Sequence, residues 1–267
     1  FARLATAVVA GGFVVRVVTL LTVAPERTDG GDPLYYHAQA NLLGGGRGFL
    51  EPLNWIARAD TLPSALHGPL YSLYLSFFSR LGATTYVDHK LASVLVGTAT
   101  VAVAVLIGRR VGGAAVGIAA GVLAAVYPNL WVIDGILFPE GIFVLLCGLA
   151  VLGAYRWRET RRPLDIALVG VAIGLSALAR GEGIFLGPLL VLPWVLRTLG
   201  RAAWRQRVGA LAWAAVGALV IVGPWTARNL VRFEEPVPLS TNGNELHVYS
   251  NCPDAYGGKF LGYWVFA

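Results

Sequence analysis

Six ionisable side chains stand where apolar runs of this sequence begin or end. A carboxylate in such a place can take a proton during a reaction, and a basic side chain can bind an anion such as phosphate. Charges set tightly against apolar sequence are expected to pair with one another or to line a polar cavity. The six are Asp32, His67, Glu140, Arg180, Glu182 and Arg228.

Asp32 begins a segment that is typical of a short helix ending at the glycines from Gly44. Pro33 suits the first helical position, and Asp32 before it suits the N-cap. An apolar stripe and a more polar side predict an amphipathic helix at a membrane surface. The two sides are Leu34, Ala38 and Leu42 against Tyr36 and Gln39. Asp32 is then either a helix cap, which needs an acceptor oxygen, or a catalytic base, which needs a titratable carboxylate.

Each of the other five residues has a structural interpretation beside the functional one. His67 precedes a predicted interfacial helix whose N-terminus favours an anion, or it is a solvated loop histidine. Glu140 faces either lipid headgroups or a cavity. Arg180 and Glu182 either pair with each other or line a polar cavity. Arg228 is either an interfacial anchor or a phosphate ligand.

The composition indicates that membrane helices position these residues. The chain is 56% hydrophobic and 13% charged, with a mean hydropathy of +0.65, whereas soluble domains carry about 25% charged residues. We expect an all-α, polytopic transmembrane helix bundle of about seven spans. The spans are 4–23, 89–108, 113–132, 139–157, 164–180, 183–198 and 208–226. A further run, Pro69–Leu81, is too short to span and predicts a second juxtamembrane helix.

Charge predicts the orientation, because cytoplasmic loops concentrate arginine and lysine. With the N-terminus inside, residues 24–88 form the first outer loop and 229–267 begin a later one. Only Glu159 and Asp165 of the 15 acids then lie inside. Three short inner loops then hold ten arginines: Arg109, Arg110, Arg156, Arg158, Arg161, Arg162, Arg197, Arg201, Arg205 and Arg207.

Several other classes of site lack their motifs in this sequence. The two cysteines have no metal-ligand spacing, and there is no phosphate-binding glycine loop, zinc motif or serine-nucleophile elbow. The tail from Ser240 to Gly258 carries the aromatics, amides and acids that bind sugars, which are equally ordinary in an exposed loop. The chain begins at Phe1 without an initiator methionine and ends at Ala267 in an aromatic stretch, so we expect it to be a fragment, the N-terminal part of a longer protein.

A series of short motifs follows in a recognisable order along nearly the whole chain. They are Arg16, Gly31-Asp32-Pro33 with Tyr36, His67-Gly68-Pro69-Leu70-Tyr71, Gly108-Arg109-Arg110, Pro139-Glu140, Ala179-Arg180-Gly181-Glu182-Gly183 and Pro224-Trp225-Thr226-Ala227-Arg228-Asn229. Together they resemble the GT-C membrane glycosyltransferases, specifically the glycosyltransferase family 39-like branch. That branch includes protein O-mannosyltransferases and lipid A aminoarabinose transferases. The resemblance implies that residues 1–267 form one catalytic module.

The resemblance implies transfer of a sugar, with inversion, from a polyprenyl-phosphate donor to a hydroxyl of a lipid, glycan or protein acceptor. Asp32 would be the catalytic base. The substrate-binding residues would be Tyr36, His67, Glu140, Arg180, Glu182 and Arg228. The enzyme would lie in the plasma membrane with its active site outside the cytoplasm. No nucleic-acid partner is expected.

Pro33 stands where the family often has a second acid, which leaves Asp32, with Asp29 as a weaker candidate. This departure weakens the case for a metal held by adjacent acids. No metal or other cofactor is therefore expected to be required, although a divalent cation stays open. The alternative from another class is a transporter or flippase of lipid-linked intermediates, which should carry polar residues deep in several spans. Here the mid-span positions are almost all apolar.

Overall fold

The computed structural model describes residues 1–23, 30–200, 203–243, 250–251, 253–257 and 261–262. These residues are mostly helical and contain no β-strand. The helices are α1 Ala2–Val23, α2 Asp32–Gly44, α3 Pro52–Arg58, α4 Leu70–Arg80, α5 Tyr86–Val126, α6 Pro128–Val132, α7 Glu140–Thr160, α8 Pro163–Ala179, α9 Leu192–Thr198 and α10 Trp204–Arg232. The predicted all-α transmembrane architecture is confirmed.

Four helices in the described residues are long and apolar enough to cross a membrane, namely α1, α5, α7 and α10. Helix α5 contains the predicted span 89–108 and the first part of the predicted span 113–132, and its backbone breaks between them at Gly112 and Gly113. Gly113 has φ +82°, a conformation that residues with a side chain rarely adopt. The two limbs then pack side by side, with Gly117 against the backbone of Val105.

Seven separate spans are not confirmed. Helix α8 has 17 residues, which is at the lower limit for crossing a membrane. The predicted span 183–198 is not one helix. It consists of a 3₁₀ turn at Gly181–Phe185, a π-helical turn at Gly187–Val191 and the short α9. The glycines in this stretch have a low helix propensity. Pro188 lacks the backbone N–H that a continuous helix needs as a hydrogen-bond donor.

The first-loop helices α2 and α4 pack against each other, which buries both sides of α2. Tyr36 and Gln39, predicted to lie on its polar side, are 2% and 1% exposed. The more polar side of α2 is therefore buried in the protein. The second helix, α4, contributes to this burial, because the ring of Tyr36 contacts the ring of Tyr71 on α4, with ring centroids 5.2 Å apart. Helix α4 has the short length predicted for it.

A buried ion pair joins α1 to the turn before α7. Arg16 Nε donates to Asp134 Oδ2 over 2.9 Å, and both side chains are almost fully buried. The remaining guanidinium nitrogens donate to the backbone oxygens of Gly12 and Ala124. Every charged atom of Arg16 therefore has a partner, as burial of a charge requires.

The directions of α7, α8 and α10 divide the bundle into two ends. Helix α7 begins at Glu140, α8 ends before Arg180, and α10 reaches Arg228 near its end, so these residues share one end. The opposite end holds the predicted inner loops. There Arg110 pairs with Glu159, and Arg161 donates to the backbone oxygen of Thr198. We call these the acid end and the arginine end.

Candidate active site

Asp32 is the first residue of α2, but it does not cap the helix. The N-cap is Gly31, whose carbonyl accepts the first helical hydrogen bond from Tyr35, and no side-chain capping bond forms. The predicted capping role of Asp32 is therefore wrong, because the helix starts one residue earlier than Pro33 suggests. The side chain of Asp32 is 52% exposed. Its carboxylate is free of any helix-capping bond and open to an incoming group.

Among the described residues, His67 is the basic side chain that pairs with this carboxylate. Its Nε2 lies 3.4 Å from Asp32 Oδ1, within ion-pair distance, and makes no hydrogen bond to the described residues. The contact with His67 lowers the pKa of Asp32, and the charge of Arg180 lowers it further against an opposing effect of partial burial. The carboxylate is therefore ionised at neutral pH, which is the form that accepts a proton.

Two tyrosines and a glycine position His67. Its ring packs against Tyr35 and Tyr36, with centroids 4.7 and 5.0 Å away. The next residue, Gly68, lies against the last turn of α8, where an added Cβ would come within 2.3 Å of the Leu178 carbonyl oxygen. Only glycine allows this approach, so the His67 loop can sit directly on the end of α8.

Arg180 brings the two nominated glutamates together. Its Nη1 donates to Glu140 Oε1, and its Nη2 donates to Glu182 Oε1 over 3.0 Å. The hydrogen bond from Arg180 lowers the pKa of Glu182, so that carboxylate is ionised at neutral pH. The second oxygen of Glu140, Oε2, is buried and accepts no hydrogen bond from the described residues. It is therefore a buried acceptor without a partner among these residues.

Tyr36 lies between these charged groups. Burial raises the pKa of Tyr36 well above its usual value, and the negative charges of Asp32 and Glu140 raise it further. Its phenol is therefore neutral and able to donate a hydrogen bond. The structure thus places six of the seven nominated residues in one group, which we call the acid-end cluster: Asp32, Tyr36, His67, Glu140, Arg180 and Glu182.

Arg228, the seventh nominated residue, lies outside this cluster and holds backbone segments. Its guanidinium donates to the carbonyl oxygens of Ser64 and Phe49, and stacks over the ring of Trp225 at 4.8 Å. Residues 64–66 accept further bonds from the chain after α10, since Thr241 N donates to Ala65 O. In this structure Arg228 therefore organises the loop that carries His67.

We expect Arg228→Gln to destabilise the protein more than it slows the reaction. The change leaves two carbonyl oxygens without their charged donor, a loss of about 2 kcal/mol in the free energy of unfolding. Thermal melting in detergent measures the loss, and turnover per folded molecule should stay within a few-fold of wild type. A large fall in turnover with unchanged melting would instead show that Arg228 binds substrate.

Two features of the site were not expected from sequence. The rings of Tyr35 and Tyr71 form walls of the cluster, and the Tyr71 hydroxyl is held by Ser93 Oγ over 2.7 Å. Tyr71 belongs to the motif that begins at His67, and that motif was the only sequence feature that pointed to Tyr71 as a residue of the site. Asp29 and residues 244–249, 252 and 258 of the tail lie outside the described residues. The described part of the chain contains no group of three or more metal-ligating side chains.

Residues from α2, from α7, from the loop before α4 and from the segment after α8 thus converge at one end of a membrane bundle. A family model of dolichyl-phosphate-mannose-protein mannosyltransferases matches residues 66–227, more than half of the chain. The chain belongs to this family. It is therefore a membrane glycosyltransferase of the mannosyltransferase type, and the predicted family 39-like resemblance is confirmed. No curated protein and no solved structure matches the chain.

The mannosyltransferase family match covers only part of the acid-end cluster. His67, Glu140, Arg180 and Glu182 lie within residues 66–227. Asp32 and Tyr36 precede the matched segment, so their place in the site rests on the geometry described above. The contact between Asp32 and His67 joins the unmatched part of the site to the matched part.

Proposed function

We propose that this mannosyltransferase-family enzyme moves a sugar from a polyprenyl-phosphate donor to an acceptor hydroxyl, with inversion at the anomeric carbon. The acid-end cluster is its active site. One observation carries the proposal. The carboxylate of Asp32 is half-exposed and caps no helix, it lies beside His67, and the positive charge of Arg180 acts on it. This places a proton acceptor next to groups that bind phosphate.

Asp32 is the general base of the proposed reaction. The acceptor oxygen attacks the anomeric carbon, its proton passes to the Asp32 carboxylate, and the bond from that carbon to the phosphate oxygen breaks. A positioned base of this kind contributes about 10² to 10⁴ in rate. Attack opposite the leaving phosphate inverts the anomeric centre.

Arg180 and His67 stabilise the lipid phosphate as it leaves. Negative charge grows on that phosphate in the transition state, and preorganised donors facing such a charge make a major contribution to the rate of many enzymes. Arg180 is held in place by Glu140 and Glu182. Tyr36 and the unpaired Oε2 of Glu140 offer a donor and an acceptor to the sugar hydroxyls.

The proposed active site faces away from the cytoplasm. Two observations support this: the arginine end gathers the arginines of the predicted inner loops, and α7, α8 and α10 place the cluster at the opposite end. The polyprenyl chain of the donor can then remain in hydrocarbon while its phosphate reaches the cluster. We propose that no cofactor is needed.

The test is sugar transfer by the purified, full-length enzyme in liposomes, using polyprenyl-phosphate [¹⁴C]mannose and a panel of hydroxyl acceptors. We expect labelled product of inverted configuration by NMR, with and without EDTA. Movement of intact labelled lipid between leaflets without cleavage of the sugar bond would indicate the flippase alternative and overturn the proposal. Loss of product in EDTA would overturn the part that excludes a cofactor.

Replacing His67 should move the pH dependence of the reaction. His67→Phe keeps a ring against Tyr35 and Tyr36 but removes the contact that lowers the pKa of Asp32. The pKa of Asp32 then rises, so the carboxylate becomes protonated at a higher pH. We expect the acidic limb of kcat/KM to shift to higher pH. An unchanged limb with lowered kcat would show that His67 acts on substrate alone.

A further inference from the structure

A cavity of about 710 Å³ lies at the arginine end, far from the acid-end cluster. It opens between the end of α7, the start of α8 and the first turns of α10. Its lining includes Trp157, Arg161, Ile166, Gln206, Ala210 and Trp213. The volume falls within the range of small-molecule and lipid-binding pockets, about 300–1,000 Å³. The proposed sugar transfer makes no use of this cavity.

The floor of the cavity is apolar, and it is long enough to hold part of a lipid acyl chain. Trp157 and Ile166 are 3% and 1% exposed, and they pack beneath Ala210. From Gln206 to Trp213 the lining follows α10 for seven residues, which is about 10 Å at 1.5 Å per residue. Trp213 is 49% exposed, so the deep end opens along the outer surface of α10.

The mouth of the cavity is positive. The guanidinium of Arg161 lines it, stacked 5.5 Å from the Trp157 ring. Pro163 and Ala203, at the N-terminal ends of α8 and α10, also line it, and helix N-termini favour anions.

The acids at this end do not cancel that charge. Glu159 already pairs with Arg110, and Asp165 pairs with Arg156 and Thr160. The carbonyl oxygens at the end of α9 are taken as well, since Thr198 O accepts from Arg161 and Leu199 O from Arg207. Among the described lining residues there is no acid.

We propose that this cavity binds one anionic phospholipid from the leaflet at the arginine end. Its headgroup phosphate lies against Arg161 and the two helix N-termini, and one acyl chain follows the apolar floor from Trp157 to Trp213. A charged mouth above an apolar channel fits an amphiphile with a negative head. It does not fit a neutral lipid or a free anion equally well. Basic pockets between helices on the cytoplasmic side are a recognised mode of headgroup binding.

The test is lipid binding by the full-length, delipidated protein, measured by native mass spectrometry. We expect phosphatidylglycerol to bind about tenfold more tightly than phosphatidylcholine, the factor that one charge-assisted contact of moderate strength supplies. Arg161→Gln should abolish this preference. Arg197→Gln removes the same charge from the same end without touching the cavity, and should leave the preference within about twofold of wild type.

A second pair of variants tests the apolar channel. Gly209 lines the cavity, and a Cβ built there meets nothing within 4 Å, so the side chain of Gly209→Leu leaves the backbone into open space on the cavity side. We expect it to weaken binding of phosphatidylglycerol about tenfold. Gly223→Leu is the control, since its added Cβ also meets open space and lies outside the cavity.

Three results would overturn this inference. Equal binding of both lipids to the wild-type protein would show that the site does not select an anionic headgroup. Equal losses in the two arginine variants would indicate diffuse attraction to charge at this end. Competition by chain-free glycerol phosphate as effective as that by the lipid would show a phosphate site instead of a lipid site.

Discussion

Asp32→Asn is expected to lower kcat by about 10² to 10⁴ while the melting temperature stays unchanged. The two effects separate because Asp32 makes no capping bond in α2, so its replacement removes no hydrogen bond from the helix. The amide keeps the shape and an acceptor oxygen but cannot take a proton. Turnover with polyprenyl-phosphate [¹⁴C]mannose and thermal melting of the same preparation measure the two quantities.

Asp88→Asn provides a matched control for this change. Asp88 is an acid in the first turn of α5, and it does serve a cap: its Oδ2 accepts from the backbone and hydroxyl of Thr85. The same substitution there should affect melting slightly and leave turnover near wild type. If Asp32→Asn also left turnover near wild type, Asp32 would not be the base.

Arg180→Gln is expected to lower kcat by about 10² to 10³, the loss typical of removing one donor that stabilises developing charge. The variant also leaves Glu140 and Glu182 as adjacent carboxylates without a cation between them. Arg180→Lys restores the charge, but one ammonium cannot reproduce the planar fork that reaches both carboxylates. We therefore expect the lysine variant to recover only part of the lost turnover.

Arg110→Gln is the control for Arg180→Gln. Arg110 also pairs with a glutamate, Glu159, and its side chain is 34% exposed against 36% for Arg180. It lies at the arginine end, so loss of this pair should leave kcat unchanged. If both arginine variants slowed turnover equally, the effect would come from lost ion pairing in general and Arg180 would have no special role at the phosphate.

The gathering of the acid-end cluster was predictable in outline. Glu140, Arg180 and Arg228 each stand next to a helix end, and the alternation of spans puts those ends on one side of the membrane. What could not be predicted is which of them meet. Arg180 reaches Glu140, 40 residues earlier, whereas Arg228 turns to the carbonyls of Ser64 and Phe49. Distances in the chain carry no information about such a choice.

The errors in the sequence analysis have particular causes. The apolar stripe of α2 was visible, but Tyr36 is buried against Tyr71 of α4, and a pattern within one helix does not reveal that neighbour. Hydropathy averaged over residues 183–198 hides Pro188, which interrupts the helical hydrogen bonds without lowering the apolar content. The pairing of Arg16 with Asp134 joins residues 118 positions apart, and neither position indicates the other.

The pair of Arg16 and Asp134 has a consequence for insertion of the protein into the membrane during synthesis. An arginine inside a membrane helix costs up to about 3 kcal/mol when the translocon releases the helix into lipid. The acid that neutralises Arg16 is synthesised 118 residues later. The first helix therefore carries an arginine without its acidic partner until α5 and the turn after it have been synthesised, and its insertion is less favourable during that interval.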